Sequence, residues 1–236
     1  SFLFSCLLFR AENVFLSVST NSMKAEFTIG STTLDLPLLQ RLTEEPHLLI
    51  LSDGSKKKIQ ASYEYLHSKL AKANEPVYGI NTGFGSLCNV KISDENLTQL
   101  QENLVMSHAC GIGEKVPQEI IKLMLLLKIQ SLSYGHSGVA LSTVELLIEF
   151  YNNEILPVVF QQGSLGASGD LAPLAHLALP LIGKGEVYYD GHRRNAANVL
   201  EELGLSPIKL EAKEGLALLN GTQFMSAYGV ELLLKG

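Results

Sequence analysis

The sequence predicts a mainly α chain with short strands toward its N-terminus, and three observations carry that prediction. Apolar residues recur at helical spacing over four long segments, 55–73, 94–109, 117–135 and 142–157. Strand-like alternation is weak and brief, as in Phe27, Ile29 and then Thr32-Thr33-Leu34. Glycine, which breaks both patterns, clusters between the periodic segments, with Gly79, Gly83 and Gly85 inside VYGINTGFGSL, residues 77–87.

Taken in order, residues from Phe27 to Leu36 read as one or two short strands. SKKKIQASYEYLHSKLAKA (55–73) places Ile59, Tyr63, Leu66 and Leu70 on one helical face, with lysines opposite. The glycine-rich loop at 77–87 is free to adopt positive φ and to move. Ser93 is the expected N-cap of the next helix, which has acidic residues in its first turn and Leu97, Leu100 and Leu104 as its apolar stripe. His108 falls on that stripe four residues beyond Leu104. Pro117 stands where a first-turn proline belongs, opening PQEIIKLMLLLKIQSLSYG. That segment is apolar nearly all round and is expected to be a central, buried helix.

STVELLIEFYNNEILP (142–157) repeats the pattern and is expected to stop near Pro157. Asp190-Gly191, inside YYDGHRR, marks a hairpin or loop, with a short helix expected at 195–203. KEGLALLNGTQFMSAYGVELLLKG closes the chain as two helical stretches joined, or one interrupted, at Asn220-Gly221. No internal repeat is present.

Bulk properties narrow the function classes. With 46% hydrophobic and 18% charged residues over 236 positions, the chain can bury a substantial core and is not of the disordered class. A net charge of −6 with few aromatics argues against nucleic acid as a partner. The odd count of three cysteines (Cys6, Cys88, Cys110) has no metal-type spacing and points to a reducing, cytoplasmic compartment with buried or free thiols. Cys110 is expected to be buried filler. No zinc-type cluster and no phosphate-binding glycine loop is present, so neither a metal nor an external cofactor is expected.

Residues 1–22 form a separate question. SFLFSCLLFRAENVFLSVSTNS has an apolar run broken by Arg10, Glu12 and Asn13, too short to span a bilayer, and no membrane association is expected. Without a preceding basic segment it resembles a signal peptide only loosely. It reads as a leader or upstream sequence, with a cleaved targeting segment as the alternative. Met23 opens a more ordinary sequence. Residues 23–210 are read as one domain, and 211–236 as the start of a helical bundle that continues in a longer protein.

The chemistry centres on GSLGASGDLAPLAHLALPLIG, residues 163–183. Ala167, Ser168 and Gly169 present the least hindered carbonyl and the least hindered amide nitrogen on either side of a serine. Attack of the Gly169 nitrogen on the Ala167 carbonyl and loss of water close a five-membered ring. Loss of a second water from Ser168 leaves a methylidene carbon conjugated to it, an electrophile that unmodified side chains do not supply. Such a bend persists only where its surroundings over-determine it. By itself an Ala-Ser-Gly step reads as a small-residue turn at a helix N-terminus, with Asp170 as a helix-start residue.

Three motifs in order, YGINTGFG (78–85), GSLGASGDLAPLAHLALPLIGKG (163–185) and NGTQ (220–223), resemble the aromatic amino acid ammonia-lyases. The resemblance runs from about Met23 to the C-terminus. It implies an N-terminal active-site domain leading into a long-helix bundle, of which this chain holds the beginning. It also implies a methylidene-imidazolone formed autocatalytically from Ala167, Ser168 and Gly169, with no external cofactor, and a homotetramer as the working assembly.

In that family a tyrosine matching Tyr78 takes the β-proton of the substrate, and an asparagine matching Asn220 lies near the substrate carboxylate, with Gln223 a second polar contact. Without the resemblance, Tyr78 reads as an aromatic loop anchor and Asn220-Gly221 as a helix-breaking turn. Ser107-His108 resembles the pair that faces the ring in histidine-specific members, implying L-histidine as substrate and urocanate and ammonia as products. By its position alone His108 is equally a satisfied core histidine. Tyrosine or phenylalanine ammonia-lyases and aminomutases are the alternative within the family, and an inactive truncated helical scaffold is the alternative outside it. His176, between leucines, reads as a packed helix histidine; His136 and His192 carry no assignment.

Overall fold

A computed structural model describes residues 24–72, 77, 80–82 and 96–236. Residues 1–22, Tyr78, the glycines at 79, 83 and 85, Cys88 and Ser93 lie outside the described residues. The described architecture is mainly α, as the periodicity predicts, with short strands in two- and three-stranded sheets.

The N-terminal unit holds more structure than the sequence reading allowed. Strand β1 (Ala25–Ile29) is followed by helix α1 (Leu36–Glu44) and strand β2 (His47–Leu51), and the two strands pair in parallel from Ala25 opposite His47 to Ile29 opposite Leu51. The start of α1 has a local cause: the Asp35 side chain accepts the Leu38 N–H at 2.9 Å, and Pro37 sits in the first turn. Leu39 and Leu42 bury its inner face. The expected second strand within 27–36 is therefore a correction, since the strand that pairs with β1 lies beyond a helix. The Asn152 amide completes the edge of β2, accepting the Leu49 N–H at 2.8 Å and donating to the Leu49 carbonyl at 3.0 Å.

Helix α2 (Asp53–Leu70) starts two residues before the predicted segment, capped by Ser52. Helix α3 (Leu97–His108) buries Gln101, Leu104 and Val105, a face rotated from the Leu97-Leu100-Leu104 stripe. Helix α4 (Gln118–Ser133) is the centre of the molecule, with Ile121, Met124, Leu125 and Ile129 at 0% exposure, as expected of a helix apolar all round. Pro117 immediately precedes it rather than standing inside its first turn. Helices α2, α5 (Leu141–Asn152) and α9 (Gln223–Lys235) pack against α4. Helix α5 ends five residues short of Pro157, because Ile155 turns back to bond the Phe150 carbonyl and 156–157 form strand β4 (Leu156–Pro157).

Strand β3 (Ile112–Lys115) pairs antiparallel with β5 (Phe160–Gln162), and β4 joins β6 (Glu186–Tyr189) and β7 (His192–Asn195) in a second antiparallel sheet. The predicted hairpin turn is present: Asp190 (φ 49°) and Gly191 (φ 71°) are both left-handed, as a two-residue type I′ connection requires. Asn195 caps helix α7 (Ala196–Glu202). Helix α6 (Leu171–Ala178) carries the long small-residue signature, and a helical turn at Leu179–Ile182 extends it. The closing segment resolves into two helices, α8 (Glu214–Leu219) and α9, broken at Asn220-Gly221.

Candidate active site

The Ala-Ser-Gly step lies in the loop between β5 and α6, and its backbone is set by glycines. Gly163 has φ +121°, and a Cβ there would stand 2.9 Å from both the Cys110 carbonyl oxygen and the Gly111 Cα. Only glycine lets the loop lie that close to the strip following α3. Gly169 has φ +73°, a conformation that turns the chain sharply just before α6. Ala167 is exposed, Ser168 is half-buried, and the Ser168 hydroxyl oxygen accepts the Asp170 N–H at 3.3 Å. Ser164 braces the other side of the loop, its hydroxyl accepting the Ala172 N–H at 3.2 Å.

Asp170 behaves differently from a helix-start residue. Its side chain makes no capping bond to α6. The carboxylate, 1% exposed, instead accepts the Phe224 N–H at 2.8 Å and the Met225 N–H at 3.3 Å, capping the first turn of α9 from across the fold. Burial raises its pKa above the ordinary aspartate value. The N–H groups of Met225 and Phe224, the Ser168 hydroxyl and the charge of Lys128 oppose that rise.

Lys128 was not singled out by the sequence reading. It projects from the middle of α4, 2% exposed, and its Nζ donates to the carbonyls of Ala217 at 3.3 Å and Asn220 at 3.2 Å. Those carbonyls are at the C-terminal end of α8, where the helix dipole favours a cation. Burial pulls its pKa down to about 7, against the attraction of Asp170. A lysine flanked by leucine and isoleucine in a helix apolar all round was the available signal, because such a cation requires partners.

The break between α8 and α9 carries the other predicted polar residues. Asn220 follows α8 with an extended backbone and an exposed side chain. Gln223 opens α9, buried, with its Oε1 lacking a hydrogen-bond partner and lying 2.2 Å from where a Cβ on Gly221 would be. A buried amide oxygen without a partner is a site for a donor to fill. Through Asp170 and Lys128 the loop at Ser168, the Asn220 turn and the start at Gln223 are tied together.

Ser107 and His108 lie at the C-terminal end of α3, which packs against α6 and α8. The His108 Nδ1 donates to the Leu104 carbonyl at 2.7 Å, so in the neutral ring the lone pair is on Nε2. The Ser107 hydroxyl lies 3.2 Å from both that nitrogen and that carbonyl. The strip after His108 is fastened to the signature segment: the Gly111 N–H donates to His176 Nε2 at 2.9 Å, and Cys110 Sγ to the Gly163 carbonyl at 3.4 Å. His176 is thus a packed helix histidine, edge-on to Phe160 at 5.2 Å, with its pKa lowered by burial. Cys110 corrects an expectation. It is exposed, because the strip it sits on runs over the surface of the loop at Gly163.

Residues 34–235 match the family model described as aromatic amino acid lyase. The chain belongs to the aromatic amino acid lyase family. Among similar proteins, histidine ammonia-lyase of Deinococcus radiodurans is 59% identical over 159 residues, covering 67% of this chain and 30% of that protein. Histidine ammonia-lyase of Symbiobacterium thermophilum is 48% identical over 83% of this chain and 38% of its own length. Among solved structures, histidine ammonia-lyase from Trypanosoma cruzi matches with a TM-score of 0.79 at 38% identity, over 89% of this chain and 41% of that one. Phenylalanine aminomutase of Pantoea agglomerans matches with a TM-score of 0.81 at 32% identity. The chain spans less than half the length of these family members.

Of the residues predicted for the site, Ala167, Ser168 and Gly169 fall on the loop before α6, and Asn220 and Gln223 at the α8–α9 junction, which Asp170 joins to that loop. Ser107 and His108 lie on a helix packed against the same elements, and Tyr78 is outside the described residues. Gln101, fully buried on α3, reaches toward that loop, donating to the Ile80 carbonyl at 3.2 Å while accepting the Gly215 N–H at 2.9 Å. Among the described residues no group of three or more His, Cys, Asp or Glu is placed to hold a metal ion, and no helix is long and apolar enough to cross a membrane.

Proposed function

We propose that this chain is the N-terminal part of a histidine ammonia-lyase, which converts L-histidine to urocanate and ammonia. The observation that carries the reading is the glycine-set Ala167-Ser168-Gly169 turn, anchored through Asp170 to the start of α9, in a chain 59% identical to a protein named histidine ammonia-lyase.

The turn suits the prosthetic group the family implies. Gly169 is already left-handed, Ala167 is exposed with Ser168 half-buried beside it, and the buried Gln223 Oε1 lacks a hydrogen-bond partner. When formed, a methylidene-imidazolone supplies the electrophile that makes elimination of ammonia from an amino acid feasible. The remaining work belongs to side chains. Tyr78 accepts the β-proton, which requires its site to depress a phenol pKa of about 10. Asn220 and Gln223 supply amide groups that donate to a carboxylate and accept from an ammonium. His108, its Nδ1 hydrogen-bonded to the Leu104 carbonyl, presents a polar ring to the substrate imidazole, which an apolar side chain cannot do. Ser107 helps to fix that ring.

Residues 23–210 act in this reading as the active-site domain, and 211–236 begin the bundle. Completion of the site in a homotetramer and a cytoplasmic location, consistent with the odd cysteine count, belong to the same proposal. The similarity to phenylalanine aminomutase supports a second reading, in which the substrate is another aromatic amino acid.

Peptide mass spectrometry on the purified full chain tests the chemistry. The peptide containing Ser168 is expected about 36 Da light, two waters, and the Ser168→Ala variant is expected to keep its full mass. Incubation with histidine, phenylalanine and tyrosine separates the substrate readings, urocanate being the expected product. An unmodified Ser168 in the full-length protein sinks the lyase reading.

A further inference from the structure

Lys128 is the one lysine or arginine buried among the described residues, and its polar partners are the carbonyls of Ala217 and Asn220. The rest of α4 around it, Leu125, Leu126 and Ile129, is apolar and sealed from water. A lysine in such a place costs stability unless its donors and charge are matched. The ammonium donates to the two carbonyls closing α8. Lys128 thus fixes the junction at Asn220 from which α9 starts, and the N–H groups of Phe224 and Met225 on α9 fix Asp170 and with it the loop of Ser168.

We propose that Lys128 is a positioning residue: its Nζ holds the carbonyls of Ala217 and Asn220 at the α8–α9 junction, the start of α9 in turn holds the Asp170 carboxylate beside Gly169, and self-cyclisation of Ala167, Ser168 and Gly169 depends on that chain of contacts. The inference rests on the lyase reading above. In the cyclisation, a bond forms between the Gly169 nitrogen and the Ala167 carbonyl carbon. The carbonyl oxygen leaves as water, taking the Gly169 and Ser168 amide protons, and a C=N bond results. The Ser168 Cα proton and hydroxyl then leave as the second water, giving the exocyclic C=C. No oxidant is consumed, and no side chain is altered apart from that of Ser168.

Ring closure needs the Gly169 nitrogen and the Ala167 carbon held within near-attack distance, a geometry lost on displacements of an ångström. Gly169 is bonded directly to Asp170, so the position of the Asp170 backbone and carboxylate sets one side of the turn. That carboxylate is fixed by the N–H groups of Phe224 and Met225 at the start of α9. Lys128 touches neither reacting atom; it acts through the Asn220 carbonyl and the α9 start that follows it.

The test compares the full chain as wild type, Lys128→Met, Lys128→Gln and Lys128→Arg. Two quantities are followed: the rate at which the Ser168 peptide loses about 36 Da in chain newly made by cell-free synthesis, and the cooperative thermal unfolding of the product. The expected result is a Lys128→Met chain that melts cooperatively near the wild-type temperature yet cyclises about ten- to hundredfold more slowly, with substantial recovery in Lys128→Arg. Lys128→Gln, which keeps donors without the charge, serves if the methionine variant does not fold. Cyclisation at the wild-type rate in a folded uncharged variant overturns the positioning role and leaves the lyase reading intact. Failure of both uncharged variants to fold assigns Lys128 to the fold itself and also overturns it. Absence of the mass loss in the wild type is a different failure, that of the lyase reading.

Discussion

Replacing Asp170 with Asn preserves the shape of the side chain and removes its charge, and its cost is expected to depend on pH. One part of the cost is constant: the N–H groups of Phe224 and Met225, at 2.8 and 3.3 Å, lose an anionic cap on the first turn of α9, about 1 kcal/mol. The other part is the attraction to Lys128, which exists only while Lys128 is protonated in the folded protein. With the Lys128 pKa at about 7, this part is absent at pH 9 and grows by at most about 1.4 kcal/mol for each pH unit below 7. The total is therefore about 1 kcal/mol at pH 9 and rises to no more than about 2.5 kcal/mol at pH 6. It stays below the usual penalty for breaking a buried ion pair because the lysine can shed its proton instead. Urea titration of the full chain at the two pH values measures it, as a shift in midpoint at constant slope. Repeating the substitution in a Lys128→Met background isolates the pair: the constant part remains and the pH-dependent part vanishes. Equal losses at pH 6 and pH 9, or a pH dependence that survives in the methionine background, would refute the electrostatic link.

Three further outcomes follow from other parts of the structure. Because the folded Lys128 releases its proton near pH 7 and an unfolded lysine near 10.4, the unfolded state binds more protons between those values; wild-type stability should rise across that window, and Lys128→Met should flatten the rise in urea titrations. Gly163→Ala combines φ +121° with a Cβ 2.9 Å from backbone atoms of residues 110 and 111; a loss of about 2 kcal/mol, read as a melting temperature about 4–8 °C lower, is expected. Glu214→Gln replaces one oxygen of a buried carboxylate that accepts from Ala140 N–H at 3.0 Å, the Thr143 hydroxyl at 2.6 Å and Glu211 N–H at 2.8 Å; one donor is left unmatched, costing about 1–3 kcal/mol in the same denaturation assay.

What could be read in the sequence and what could not divide along a physical line. The helices α2, α4 and α5 announce themselves because burial of one face, or of all faces, leaves a period in the chain itself. The turn at Asp190-Gly191 does so because positive φ restricts residue type. Helix α1 was missed for the opposite reason: its signals, Asp35 as cap and Pro37 in the first turn, are single residues inside a stretch whose threonines favour a strand. The end of α5 was misplaced because EIL at 154–156 continues the apolar pattern while its backbone has already turned.

The polar interior lies furthest from sequence reading, because its partners are distant in the chain. Asp170 looks like a cap for the helix it precedes, yet it caps one that begins more than fifty residues later. Glu214 opens α8 and caps the start of α5, while Gln101 links α3 to α8 and to the Ile80 carbonyl. Each of these residues satisfies helix-end donors or a backbone carbonyl that would otherwise be buried without partners, which fixes one element's position by another's side chain. Ser168 gains its setting in this way. Nothing in the ASG triplet specifies that its following residue will be anchored to α9 and face a cation from α4. The triplet fixes only residue types, and the distant capping of α9 by Asp170 is what holds its turn in one place.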